Sequence, residues 1–158
     1  MSQKMFTKIL VPIDGSEYSQ RAAEYAVRMA KLMGAEIVVL HVTHLPTYAF
    51  TYSAAEGVSP VAIPTPLPLP ISDDEKKATE KLVESVRKMA EKGGVKAETK
   101  IIEQHPSIPD AIIEFAAKAD VDLIVMGTKD RTGIKRFLLG SVTESVVHHA
   151  HCPVLVIR

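Results

Sequence analysis

Glu36-Ile37-Val38-Val39-Leu40-His41-Val42 is apolar without a break from Ile37 to Leu40. A strand with one wet face alternates apolar and polar residues. A strand covered on both faces does not, and double coverage is the mark of a parallel sheet flanked by helices. The same character recurs in Lys8-Ile9-Leu10-Val11-Pro12-Ile13, in Leu123-Ile124-Val125-Met126 and in Val154-Leu155-Val156-Ile157. A fifth run, Ala97 to Ile102, alternates more and reads as a weaker strand.

Helical patterns fill the intervals. From Ser16 to Met33, Ala22, Ala26, Met29, Ala30 and Met33 share one face, and Gly34 is a natural stop. From Ser72 to Lys92 the repeating residues are Ala78, Leu82, Val86 and Met89, with a capping-box signature at Ser72-Asp73-Asp74-Glu75 and Gly93-Gly94 closing the run. From Ser107 to Ala119 the face is Ile108, Ile112, Phe115 and Ala116, with Ser107 as N-cap. From Ser141 to Ala150 it is Val142, Val146, Val147 and Ala150, and Ser141 with Glu144 spells a second capping box. Strict alternation of strand and helix implies right-handed crossovers with helices on both faces. The expected architecture is a single-domain α/β fold over 1–158, an open parallel five-stranded sheet in the order 3-2-1-4-5.

One segment breaks the rhythm. His44 to Ile71 holds six of the ten prolines, and its only charged residue is Glu56. Pro64-Thr65-Pro66-Leu67-Pro68-Leu69-Pro70 is expected to be extended, because alternate prolines forbid a helix. This proline-rich insertion at 44–71 reads either as a mobile loop or as a lid or partner surface. The second reading rests on Tyr48, Phe50 and Tyr52, aromatic rings that are costly to leave in water.

Composition removes several classes of function. The 158 residues carry 19 basic and 19 acidic side chains, so no global field draws the chain to nucleic acid or to a membrane surface. Aromatic residues are few and tryptophan is absent, which argues against a stacking platform for single strands. The single cysteine, Cys152, cannot form an internal disulfide, as suits a reducing compartment. No signal-peptide pattern or run of membrane-spanning length occurs, and the chain is read as cytoplasmic.

In open α/β sheets, ligands bind beyond the carboxyl ends of the strands, where strand order reverses. Asp14-Gly15-Ser16 follows the first strand, His41-Val42-Thr43 closes the second, and Gly127 opens a long loop that ends at Gly140-Ser141 and a helix. The glycines at 127, 133 and 140 permit close approach of backbone to a ligand. A helix N-terminus offers unpaired N–H groups and partial positive charge, which suit a phosphate, and Ser141 and Thr143 add hydroxyls. Lys129, Arg131, Lys135 and Arg136 make the loop locally basic in a neutral chain. Asp14 is placed to accept hydrogen bonds from a ribose or a base amine.

The run from Met126 to Arg158, with Leu138-Leu139-Gly140-Ser141-Val142-Thr143-Glu144 at its centre and Cys152-Pro153-Val154-Leu155-Val156-Ile157 at its close, resembles the universal stress protein family. Ile9-Leu10-Val11-Pro12-Ile13-Asp14-Gly15-Ser16 and Leu40-His41-Val42 match as well, so only the insertion lies outside the likeness. The resemblance implies an adenine-nucleotide alpha-hydrolase-like fold, ATP or AMP as ligand, and a homodimer through the last strand, Val154 to Ile157. It implies that Pro12, Asp14 and Val42 flank the adenosine and that Gly127, Arg131, Gly140, Ser141, Val142 and Thr143 hold the phosphates. Ile13, Met126, Thr128 and Gly133 complete the candidate set.

Nucleotide-binding members carry the pattern G-x2-G-x9-G-S/T, and here Asp130 stands where its second glycine belongs. At about 6 Å and an effective dielectric near 20, a carboxylate beside a phosphate costs on the order of 2–3 kcal/mol, roughly a hundredfold in affinity. Lys129 and Arg131 flank Asp130 and offset part of that, and a bound Mg²⁺ could make Asp130 a ligand. The expectation is weakened or altered binding, with a preference for fewer phosphates.

Other readings compete. Asp14 serves equally as the N-cap of the first helix, with Glu17 completing a box. His148 and His151 have i, i+3 spacing but no acidic or cysteine partner in a fixed place, so no metal site is expected. Cys152 is expected to be buried and inert. No Walker-A Gly-Lys-Ser/Thr and no general base with a defined partner occur, so an enzyme is not expected. Flavin chemistry rests on topology alone. Two functions remain: a dimeric nucleotide-binding sensor, and a dimeric protein-interaction module whose site has lost useful affinity through Asp130.

Overall fold

The computed structural model describes residues 5–45, 49–53, 61–65, 69–128 and 139–158. The elements are β1 (Lys8–Pro12), α1 (Glu17–Met33), β2 (Glu36–His44), β3 (Ala49–Ser53), β4 (Val61–Thr65), α2 (Asp73–Lys92), β5 (Ala97–His105), α3 (Ile108–Lys118), β6 (Leu123–Gly127), α4 (Ser141–His149) and β7 (Val154–Ile157). The main sheet has five strands in the order β5-β2-β1-β6-β7, and every neighbouring pair in it is parallel. With the β3-β4 pair set aside, this is the 3-2-1-4-5 order expected from the sequence.

The unbroken apolar runs are explained by two cores, one on each face. Ile9, Val11, Ile37, Val39 and Val125 pack with the inner faces of α1 and α2. The alternate residues Leu10, Val38, Leu40, Ile124 and Met126 pack with α3 and α4. Burying one such side chain is worth about 1.5–3 kcal/mol, so both faces contribute. Gly34 ends α1 as expected: it adopts φ 65°, and its N–H donates to Ala30 O. Among the described residues, no helix is long and apolar enough to cross a membrane.

Two features differ from the sequence reading. β2 and β5 run on to His44 and His105, past the expected ends at Val42 and Ile102. A bulge lets them do so. The register shifts between Val42 and His44, and Gln104 takes φ 53° while its N–H donates to Thr43 Oγ1 at 2.8 Å. The insertion, read as loop, lid or surface, contains an antiparallel hairpin, with Ala49 opposite Thr65 and Ser53 opposite Val61. Pro64 sits within β4, which a two-stranded pair tolerates because each strand keeps an open edge. Both ends of the insertion are tied to the end of β5. Leu45 N donates to His105 O at 3.0 Å, and Gln104 Nε2 donates to Leu69 O.

Candidate functional site

β1, β2 and β6 deliver their carboxyl ends to one edge of the sheet, and α4 begins beside them. Ile13, just past β1, donates from its N–H to Leu40 O at 2.8 Å, and His41 Nδ1 lies 2.8 Å from Ile13 O. These contacts hold the β1 turn against β2. Asp14 is exposed. Its Oδ1 accepts from Ser16 N at 2.9 Å, and its N–H donates to Ser19 Oγ at 3.4 Å. Asp14 therefore does not cap α1. Ser16 does, its hydroxyl accepting from Ser19 N at 3.2 Å. The carboxylate of Asp14 instead braces the turn one step earlier.

Gly127 ends β6 where α1 crosses it. A Cβ on Gly127 would lie 2.5 Å from the backbone carbon and oxygen of Tyr18 and 2.8 Å from Ser19 N. Any larger residue would have to push backbone aside. The first glycine of the loop is thus required by packing, whatever ligand the loop meets. Thr128 follows, 6% exposed, and its N–H donates to Ile157 O at 3.0 Å.

α4 departs from its sequence signature. The expected Ser141–Glu144 capping box does not form: Gly140 is the N-cap, no side chain among the described residues caps the helix, and Ser141 is the first helical residue, exposed. Glu144 N donates to Gly140 O at 2.9 Å, an ordinary helical bond. The other three helices each have a serine hydroxyl accepting from the first turn: Ser16, Ser72 and Ser107. The first N–H groups of any helix lack intrahelical acceptors. In α4 those of Ser141, Val142 and Thr143 meet no side-chain cap among the described residues. Thr143 itself is 2% exposed, and its Oγ1 donates to Gly127 O at 3.0 Å.

Of the candidate residues, the structure brings Gly127, Thr128 and Thr143 together and places the Asp14 turn beside them through Ser19. Pro12 is half-buried, and Ile13, Val42 and Met126 are buried. Ile13 belongs to the α1–α2 core, and Val42 and Met126 to the α3–α4 core. They form the floor of the edge rather than free side chains. Arg131 and Gly133 lie outside the described residues, as do Lys129, Asp130, Lys135 and Arg136. Ser19 escaped the sequence reading: it is buried, and its hydroxyl joins Asp14 N to Ser16 O. A serine on the apolar face of α1 was its only signal.

A groove of about 610 Å³ opens at the opposite edge of the sheet, between Lys8, Gly34, Glu36, Gly94, Lys96 and Asp120. Three of its charges pair: Lys96 Nζ lies 2.9 Å from Glu36 Oε2, and Lys8 Nζ 3.6 Å from Glu36 Oε1. The hydrogen bond from Lys96 holds the Glu36 carboxyl below the usual carboxylate range. Of the histidines around the end of α4, two have backbone partners, and His148 meets the His149 ring edge-on. His149 Nδ1 is 2.9 Å from Ser145 O and His151 Nε2 is 3.1 Å from Val121 O, and no metal-binding cluster occurs among the described residues. Cys152 is half-buried, and burial, then the nearby Asp122 carboxylate, push its thiol pKa up.

Sheet order and the alternation of strand and helix define a doubly wound α/β protein. The model of the universal stress protein family matches residues 5–158. The chain is 40% identical over 156 residues to universal stress protein MJ0531 of Methanocaldococcus jannaschii, covering 99% of this chain and 84% of that one. It is 36% identical to universal stress protein YxiE of Bacillus subtilis, covering 98% and 100%. A universal stress protein from Archaeoglobus fulgidus, solved in complex with dAMP, superposes with a TM-score of 0.68 at 22% identity, covering 98% and 99%. The chain belongs to the universal stress protein family.

Proposed function

We propose that this protein binds an adenine nucleotide, ATP or AMP, at the carboxyl edge of the sheet, and that occupancy is its signal in a stress response. The observation that carries the reading is the N-terminus of α4, where Gly140 is the N-cap and, among the described residues, no side chain caps the main-chain amides of Ser141, Val142 and Thr143. Amides so arranged, at the positive end of a helix, suit a phosphate. The similar protein from Archaeoglobus fulgidus, solved with dAMP, supports an adenylate as the ligand.

In this reading the phosphate meets those amides and the exposed Ser141 hydroxyl, with Gly127, Arg131 and Gly133 as its further contacts. Pro12, Ile13, Val42, Met126 and Thr128 form the floor and walls beneath the adenosine, and Asp14 takes the ribose or the base amine. Mg²⁺ would enter with a polyphosphate, Asp130 serving as a ligand. No catalytic group is assigned. β7, at the edge of the sheet and apolar from Val154 to Ile157, pairs with a second copy to make a twofold dimer, the simplest closure of an open edge. The compartment is the cytoplasm.

Titration of ATP, ADP and AMP by calorimetry tests the site, together with the ultraviolet spectrum of freshly purified protein. Micromolar binding of at least one adenylate, or a 260 nm excess released on denaturation, is the expected result. No bound nucleotide and no titratable binding would leave the interaction-module reading, with Asp130→Gly showing whether that carboxylate is the reason. Light scattering tests the dimer, and a monomer at micromolar concentration would defeat it.

A further inference from the structure

The geometry points to Thr143 as a positioning residue, whose hydroxyl fixes the anion-facing turn of α4 against the end of β6 and does not itself meet the ligand. The inference rests on the adenine-nucleotide reading and changes the part that one of its residues plays. A threonine hydroxyl has one proton to donate. In Thr143 that proton goes to Gly127 O, 3.0 Å away across 16 residues of chain, and the residue is 2% exposed. A phosphate on the helix axis therefore meets the N–H of Thr143 and not its side chain.

The acceptor is unusually well held. Gly127 C=O and Thr128 N–H belong to one planar peptide group, which moves as a unit. Its N–H is bonded to Ile157 O at 3.0 Å, at the end of β7. On the α1 side, the backbone of Tyr18 leaves no space for even a methyl group on Gly127. The peptide is thus fixed to β7 and to α1, and Thr143 ties α4 to it.

That tie has a task because, among the described residues, α4 lacks the usual one. In α1, α2 and α3 a serine at the N-cap sets the direction of the first turn through a local hydrogen bond. Gly140 cannot do this. A binding constellation must hold to within about half an ångström. The long-range bond from Thr143 supplies the missing restraint and leaves the helix axis open to an anion. A local side-chain cap would have closed it.

The test uses Thr143→Val, which keeps the shape and removes the hydroxyl, and Thr143→Ser, which keeps the hydroxyl. Affinities for AMP and for adenosine are measured by calorimetry, and the carbonyl ¹³C shift of Gly127 is read in the ligand-free protein. Thr143→Val should move that shift and weaken AMP roughly tenfold to a hundredfold. Adenosine, which has no phosphate, should bind as before, and Thr143→Ser should restore both readouts. Unchanged AMP affinity in Thr143→Val overturns the inference, as does an equal loss for adenosine, which would mark a general structural defect. If Thr143→Val does not fold, the wild-type protein decides. Its Gly127 carbonyl shift should stay in the bonded range on saturation with AMP, and a shift to the unbonded range would mean that the hydroxyl turns to the phosphate. A wild-type protein that binds neither AMP nor adenosine would defeat the nucleotide reading itself, an outcome visibly different from the others.

Discussion

Ser72-Asp73-Asp74-Glu75 and Ser141-Val142-Thr143-Glu144 carry the same Ser-x-x-Glu signature and open their helices differently. At α2 the box closes: Ser72 Oγ accepts from Glu75 N at 3.2 Å, and Glu75 Oε2 accepts from Ser72 N at 3.0 Å. At α4 the helix starts one residue earlier in the motif, with Gly140 as cap and Ser141 already helical. The first turn of α2 is exposed, so local hydrogen bonds decide its start. The first turn of α4 is decided from a distance. Thr143 and Val146 are buried, and Thr143 reaches Gly127, so the helix must run in the phase that points both inward. Glycine is an acceptable N-cap, so the shift costs little. A short motif marks where a helix begins, and tertiary packing chooses which residue caps it.

The strongest way to break this contrast is Gly127→Ala. The added methyl would meet Tyr18 backbone at 2.5 Å, displacing the end of β6 that fixes the phase of α4. A loss of about 3 kcal/mol is expected from overpacking against rigid backbone. That lowers the melting temperature by roughly 6–12 °C, a change thermal unfolding reads directly. Next comes Ser72→Ala, which removes a working box and should destabilise by about 1 kcal/mol in urea titration. Gly140→Ser has a smaller effect of the opposite sign. A serine there can cap α4 locally, adding a few tenths of a kcal/mol while weakening AMP by competing for its amides. Ser141→Ala should leave stability within about 0.5 kcal/mol of wild type yet reduce AMP affinity. Equal destabilisation by Ser72→Ala and Ser141→Ala would erase the distinction between the two helices.

The least effect belongs to a pair far from both. Lys96 lowers the pKa of Glu36 in the folded chain, so the unfolded chain binds its proton first as pH falls. The resulting stabilisation is present above the ordinary glutamate value of 4.5 and is lost as pH drops through the lower folded value. Acid unfolding of Lys96→Met should therefore differ from wild type above that window and converge with it below, leaving the contrast between the helices untouched.

Most of the architecture was legible because burial on both faces removes alternation, and Ile37 to Leu40 shows this without ambiguity. The stop at Gly34 and the caps at Ser72 and Ser107 were legible because they are local. The phase of α4 was not, since it depends on a bond spanning 16 residues. The reach of β2 and β5 beyond Val42 and Ile102 was hidden because it depends on Thr43 accepting from a residue 61 positions away. Gly127 was found by its spacing, but its packing reason, the crossing of Tyr18, exists only in the fold. The hairpin at 49–65 was masked by its prolines, which argue against an inner strand but not against a free-standing pair.

The anchoring of Leu45 on His105 and of Leu69 on Gln104 has an engineering corollary. Two feet planted on adjacent positions of one strand make the stretch between them a cassette. It can be shortened to a brief turn, or exchanged for foreign sequence, with the seam at the rim and the five-stranded body keeping its register.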